Sequence, residues 1–233
     1  MVRYGASGRE VVLRDGGYEA RIVTVGAGLA GLTYRGHEVI VPHRVDECPP
    51  AYLGKVLMPW PNRVAGGAYS WEGTSYDLPV DEPAFGTSLH GFVAFQDWQV
   101  DRADASCVQL STLIAARYSY PWTLLASARY SLDARAGLTV ELSATNVGQG
   151  TAPLGVGFPP YLAVDGIRAD DLELTNPASI IYEADASMIP VAAHDVAGFG
   201  LDFRSPARIG EARLDHCFAG LPPGTWTVTL RDP

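Results

Sequence analysis

Apolar and polar residues alternate along most of this chain, in short runs broken by Gly, Pro, Asp or Asn. A period of two puts successive side chains on opposite faces of an extended backbone, so the pattern predicts antiparallel β-structure and almost no helix. Residues 18–23 lead into 25–34, and Gly36 turns the chain into 38–41. Further strands are expected at 98–100, 107–112 and 124–132, and the most regular at 138–145, with residues 146–150 as its turn. Residues 68–71 and 76–78 flank Glu72-Gly73, an acidic residue and a glycine between alternating runs, which reads as a tight hairpin. One short helix is expected over 46–54, kept brief by Pro49 and Pro50. Residues 225–230 alternate throughout and read as an interior strand.

Many strands at short spacing, with no internal repeat, low-complexity tract or linker, point to an all-β fold. The expected architecture is a large antiparallel β-sandwich forming a single domain over residues 1–233. An interior strand three residues before the last residue leaves a neighbouring edge unpaired. The expectation is therefore a sandwich whose C-terminal strands are missing, with an open edge favouring a homo-oligomer or poor solubility.

Composition narrows the partners. The chain has 233 residues, 47% of them hydrophobic, 18% charged, and a net charge of −9. That is enough apolar material for a substantial core, and too acidic a surface for nucleic acid or an anionic membrane. No apolar run reaches the ~18–20 residues that span a bilayer, and residues 1–17 lack the apolar centre of a signal peptide, so the expected location is cytoplasmic. Cys48, Cys107 and Cys217 form no CxxC or Cys/His cluster and read as buried, reduced thiols. Val25-Gly26-Ala27-Gly28 lacks both the full GxGxxG spacing and a following helix, so no dinucleotide loop is expected. With no metal-ligand spacing either, no cofactor and no metal are expected.

The most informative segment is residues 59–91, PWPNRVAGGAYSWEGTSYDLPVDEPAFGTSLHG. It carries Pro61-Asn62-Arg63 at one end, Leu78-Pro79-Val80-Asp81-Glu82-Pro83 within it, and Leu89-His90-Gly91 at the other. This block resembles the aldose 1-epimerase (galactose mutarotase) family, in which PxPNRxxxGxF, xLPxNEP and LHG follow in that order. Residues 25–34, 140–146, 152–158 and Leu214-Asp215-His216-Cys217-Phe218 continue the resemblance over essentially the whole chain.

The resemblance implies the galactose mutarotase-like supersandwich, a small-molecule aldose as ligand, and exchange of its α and β anomers. That reaction needs a base at the anomeric hydroxyl and an acid at the ring oxygen. It also implies sugar-binding roles for Arg63, His90 and Asp215, with His90 the residue nearest the chemistry. Asn62 is read as a weaker sugar contact or as a residue that holds the turn. Read without the motif, Arg63 would be an ion-paired arginine, His90 a satisfied structural histidine and Asp215 a loop aspartate before a strand. His216 points away from Asp215 if that segment is extended. The adjacent carboxylates Asp81 and Glu82 read as loop residues with diverging side chains, and the five tryptophans as mostly core. The chain departs from the family at Gly157-Phe158-Pro159-Pro160-Tyr161, where Pro159 stands in place of the family's catalytic histidine. The family's glutamate base falls past Pro233. Three readings stay open: a mutarotase, a sugar-binding relative without turnover, and a truncated product.

Overall fold

A computed structural model describes residues 5–233, which divide into two compact units, one running to Tyr161 and the other Leu162–Pro233. In the first unit, β1 (Glu10–Asp15), β2 (Tyr18–Val23), β3 (Gly28–Tyr34) and β4 (His37–Glu38) form one antiparallel sheet in that order. Two short pairs follow: β5 (Arg63–Ala65) with β8 (Thr87–Leu89), and between them in sequence the hairpin β6 (Ala68–Trp71) and β7 (Thr74–Asp77). A second sheet runs β12-β11-β10-β9, built from β9 (Gln99–Ala103), β10 (Cys107–Ile114), β11 (Leu124–Asp133) and β12 (Gly137–Asn146).

The alternation does what a period of two dictates. Along β11, Leu124, Ala126, Ala128, Tyr130 and Leu132 are buried, while Leu125 and Arg129 face outward. Those residues join Val108, Leu110 and Ile114 of β10 in one cluster with Leu13, Ala20, Ile22, Leu29 and Leu32 of the first sheet. This is the core of a sandwich, in which each fully buried Leu or Ile contributes about 1.5–3 kcal/mol of burial free energy. The Tyr130 hydroxyl donates to the carbonyl of Ala27, tying the second sheet to the turn before β3. That turn is Val25-Gly26-Ala27. A Cβ on Gly26 would run into the Ala94 carbonyl, so the glycine serves a close backbone approach rather than a phosphate. In the β6–β7 hairpin, Glu72 and Gly73 both have positive φ (48° and 80°), the backbone of a two-residue primed turn.

The second unit holds two three-stranded antiparallel sheets. Its strands are β13 (Glu173–Thr175), β14 (Ile180–Ala184), β15 (Pro190–Asp195), β16 (Ala207–Arg208), β17 (Cys217–Ala219) and β18 (Thr229–Arg231), in the orders β16-β13-β18 and β15-β14-β17. One helical turn, α1 (Val196–Phe199), is capped by the Asp195 carboxylate on the Ala197 N–H and closed by Gly200 at φ 77°. Leu172, Ala178, Ile181, Val196 and Phe203 are its buried residues.

Several expectations are corrected. Residues 225–230 are not an interior strand: only Thr229–Arg231 pairs, at the edge beside β13, and Trp226 is 47% exposed. Alternation tells which face a side chain takes, not whether a second neighbour or a covering layer exists. Instead of a helix over 46–54 there is one 3₁₀ turn, Pro50–Tyr52, in which Ala51 and Tyr52 take positive φ. The strand expected at 38–41 shrinks to His37–Glu38. Cys48 and Cys217 are exposed and Cys107 half-buried, since none sits on an inward-facing core position. Of the tryptophans only Trp98 and Trp122 are buried. Among the described residues no helix is long and apolar enough to cross a membrane.

Candidate functional site

Arg63 and His90 are brought together by strand pairing. β5 and β8 run antiparallel with Arg63 opposite Leu89, so the residue after β8 lies beside the residue before β5. Those two residues, His90 and Asn62, both take left-handed backbone, φ 61° and 58°. Non-glycine residues hold that conformation only where surrounding bonds fix it. Here the His90 N–H donates to the Asn62 carbonyl at 3.0 Å, and the Asn62 N–H donates to Nδ1 of the His90 ring at 2.9 Å. Gly91 follows at φ 73°, with the backbone pressed against Met58, and Phe92 N–H donates to the Met58 carbonyl at 2.7 Å.

The Asn62 N–H determines the tautomer. A backbone amide can only donate, so Nδ1 must accept, and the single proton of the neutral ring sits on Nε2. Burial and the nearby Arg63 charge lower the His90 pKa from its ordinary value, with Glu82 and Asp81 pulling weakly the other way. The edge of the His90 ring meets Tyr52, centroids 4.5 Å apart, and Tyr52 in turn touches Phe95. The result is a neutral hydrogen-bond donor held in a fixed direction.

Arg63 is held as firmly. Its Nε and Nη2 donate to the two carboxylate oxygens of Glu82 at 2.7 and 2.8 Å, a bidentate pair whose side chains are each 18% exposed. Nη1 donates to the Asn62 Oδ1 at 3.3 Å, and the guanidinium lies over Phe85 at 5.0 Å from the ring centroid. The hydroxyl of Thr87, fully buried on β8, donates to the same Glu82 at 2.7 Å. Arg63 first, and Thr87 with it, hold the Glu82 carboxyl below its usual pKa against the opposing effect of burial. The neighbouring Asp81 turns away and accepts the Leu89 N–H at 2.7 Å.

Asn62, Arg63 and His90 thus form one cluster, with Asn62 contributing main chain and side chain alike. Sequence reasoning missed Glu82 and Thr87. Glu82 occupies the last acid of the LPxNEP-like stretch, which was the available signal. Asp215 lies in the second unit, exposed, in the loop just before β17. The ring of its neighbour His216 is edge-on to Phe199, centroids 5.6 Å apart. Pro159 belongs to the first unit and is half-buried, its carbonyl accepting the Gly54 N–H at 2.9 Å. Among the described residues no group of His, Cys, Asp or Glu is placed to hold a metal. An apolar cavity of about 540 Å³, walled by Trp60, Val64, Tyr69, Trp71 and Tyr120, includes neither Arg63 nor His90.

Comparison with known proteins agrees with this architecture. The family model described as aldose 1-epimerase matches residues 9–233. The Escherichia coli K12 protein YihR is 40% identical over 227 residues, spanning 97% of this chain and 73% of its own length. A second protein of that organism, YphB, is 35% identical over 165 residues, 70% of this chain and 54% of its own. The crystal structure of a GalM/aldose epimerase homologue from C. elegans superposes with a TM-score of 0.84 at 22% identity, over 95% of this chain and 74% of that one. That of galactose 1-epimerase from Lactobacillus acidophilus NCFM gives 0.83 at 24% identity, over 95% and 72%. At those identities the two structures speak for the fold alone.

Proposed function

Because this chain belongs to the aldose 1-epimerase family, we propose that it binds a neutral aldopyranose against Arg63 and His90 and that the bound sugar exchanges its α and β anomers. The observation that carries the reading is the Asn62–His90 pairing, which leaves the ring a neutral donor through Nε2 beside an arginine fixed by Glu82. A sugar presents hydroxyl and ring oxygens that must be matched by such groups, since a buried polar group left unpaired costs about 1–3 kcal/mol. Exchange of anomers further requires a proton for the ring oxygen and a base for the anomeric hydroxyl. What this cluster supplies is a hydrogen bond from the neutral His90 Nε2–H, which can polarise the ring oxygen while keeping its proton, since losing it would leave an imidazolate.

A second reading, a sugar-binding protein without turnover, is favoured by one specific residue. By the resemblance of residues 157–161, Pro159 stands where the family has its catalytic histidine, and proline carries no proton to transfer. Polarimetry of freshly dissolved α-D-glucose and α-D-galactose, beside calorimetric titration of both sugars, separates the two. Rotation that relaxes faster than in buffer supports exchange. Binding with buffer-rate relaxation supports the second reading, and absence of binding rejects both.

A further inference from the structure

The sequence gives Asp81 and Glu82 as adjacent acids on a loop, yet in the folded chain they do two different things within one short segment. Residues 81–87 are closed on themselves by main-chain bonds between Glu82 and Thr87, at 3.1 and 3.3 Å. From that closed loop the Glu82 carboxylate takes both the Nε and Nη2 edge of Arg63, while the Asp81 carboxylate takes the Leu89 N–H, one residue before His90. Phe85, from the same loop, supplies the flat surface under the guanidinium. Thr87 is fully buried and gives its only hydroxyl proton to Glu82.

We propose that residues 81–87 are the positioning device of the site, and that Glu82 is a positioning residue that fixes the guanidinium of Arg63 for a sugar oxygen. This rests on the sugar-binding reading above. Arginine on a flexible stem otherwise samples many rotamers, and fixing it before the ligand arrives removes an entropy cost from binding. The carboxylate also balances the arginine's charge in place, which suits a partner that is an uncharged hydroxyl. Thr87 holds the carboxylate in turn, so the chain of contact runs from a buried hydroxyl through an acid to the residue that meets the ligand. A merely structural ion pair would affect stability; a positioning pair affects affinity at constant fold.

The test compares Glu82→Gln, Glu82→Asp and Thr87→Val with the unaltered protein, using Glu141→Gln as the control. Glu141 pairs with Arg129 at 3.1 Å on the exposed face of β11 and β12, in an ordinary surface contact. Affinity for D-galactose and D-glucose is read by calorimetry at pH 7, and the Arg63 Nε–H resonance by NMR, assigned with Arg63→Lys. Expected for Glu82→Gln is a retained fold, affinity lower by about tenfold or more, and a shifted and faster-exchanging Nε–H. Glu82→Asp recovers part of the affinity, and Glu141→Gln changes nothing. Unchanged affinity in Glu82→Gln, or an Nε–H signal that does not move, overturns the proposal. If Glu82→Gln fails to fold, Thr87→Val decides: it keeps the ion pair and removes one bond, and an unmoved Nε–H there counts against positioning. If the unaltered protein binds neither sugar, the sugar reading falls, and the Nε–H signal alone judges the hold of Glu82 on Arg63.

Discussion

Asn62 and His90 hold each other twice, the His90 N–H on the Asn62 carbonyl at 3.0 Å and the Asn62 N–H on the His90 Nδ1 at 2.9 Å. One bond is main chain to main chain; the other commits a ring nitrogen. Protonating that nitrogen destroys its ability to accept, so the charge state of the imidazole and the local backbone are coupled.

The first prediction follows in pH. His90 titrates below the ordinary histidine value of 6.5, because burial and Arg63 disfavour its charged form. Between the lowered folded value and 6.5 the unfolded chain binds more protons, so stability falls as pH drops through that window and the contribution is complete above it. His43, 6% exposed and also lowered by burial, acts in the same direction. Histidine ¹⁵N NMR should therefore show His90 as the Nε2–H tautomer at pH 7, titrating below 6.5. A Nδ1–H tautomer, or a midpoint at or above 6.5, contradicts the geometry.

Gly91 allows the close approach that seats His90. A Cβ there would meet the Met58 carbonyl oxygen and the Pro59 nitrogen, on a backbone at φ 73° that side chains disfavour. Gly91→Ala should cost more than about 1–2 kcal/mol in urea unfolding and broaden or shift the His90 signals. A neutral result would mean that the segment relaxes without strain.

Lys55 is 1% exposed, its ammonium donating to the Val25 carbonyl at 3.2 Å and lying 5.2 Å from the Phe95 ring centroid. Burial lowers its pKa below 10.5. The unfolded chain takes up this proton first as pH falls from 10.5, so stability declines on the way down to the folded value. Lys55→Met should remove that slope and raise stability at pH 7 by about 1–2 kcal/mol. Thermal melts at pH 7 and 9.5 check it; a lower melting temperature for the variant at both would show that the ammonium contributes net stability.

Tyr130 places its hydroxyl on the Ala27 carbonyl in a fully buried setting. Tyr130→Phe keeps the ring and orphans that carbonyl, at an expected cost of about 1–2 kcal/mol. The urea midpoint should fall without a change in slope. No fall would mean that the Ala27 carbonyl is satisfied without the phenol.

Residue 159 gives a fifth prediction. Pro159→His should fold like the unaltered chain, because the bond that ties this residue in comes from its carbonyl oxygen to the Gly54 N–H, which any residue can make. Circular dichroism melts within about 1 kcal/mol of each other are expected, and a collapse of the melt would assign the pyrrolidine ring a packing role.

The strands of the first unit were legible because their partners are local. β11 and β12 pair residue for residue without a shift, Leu124 to Asn146 through Asp133 to Gly137, and each shows its inward row in the sequence. Residues 225–230 carry the same signal, but β18 has only the three-residue β13 as neighbour, and no pattern in a single strand reports on that. The site divides in the same way. Arg63 and His90 could be found from their motifs. Glu82 reads in the sequence as a loop acid diverging from Asp81, and its partner Arg63, 19 residues away, is reached only when residues 81–87 fold back on β8. The side chains of Asp81 and Glu82 do diverge, as extended backbone requires, but each lands on a separate part of the cluster. Lys55 was invisible for a different reason: nothing in a lysine's sequence neighbours announces that its ammonium will lack water.

Pro159 is joined to the fold through main chain, whereas Arg63 and His90 are joined through side chains that themselves have dedicated partners. The two kinds of attachment answer differently to substitution. Substitution at 63, 82 or 90 breaks several contacts at once, while a substitution at 159 leaves its main-chain bond in place. Rigidity at 63, 82 and 90 is thus shared among neighbouring side chains, while at 159 the backbone carries it and the side chain is left as the replaceable part.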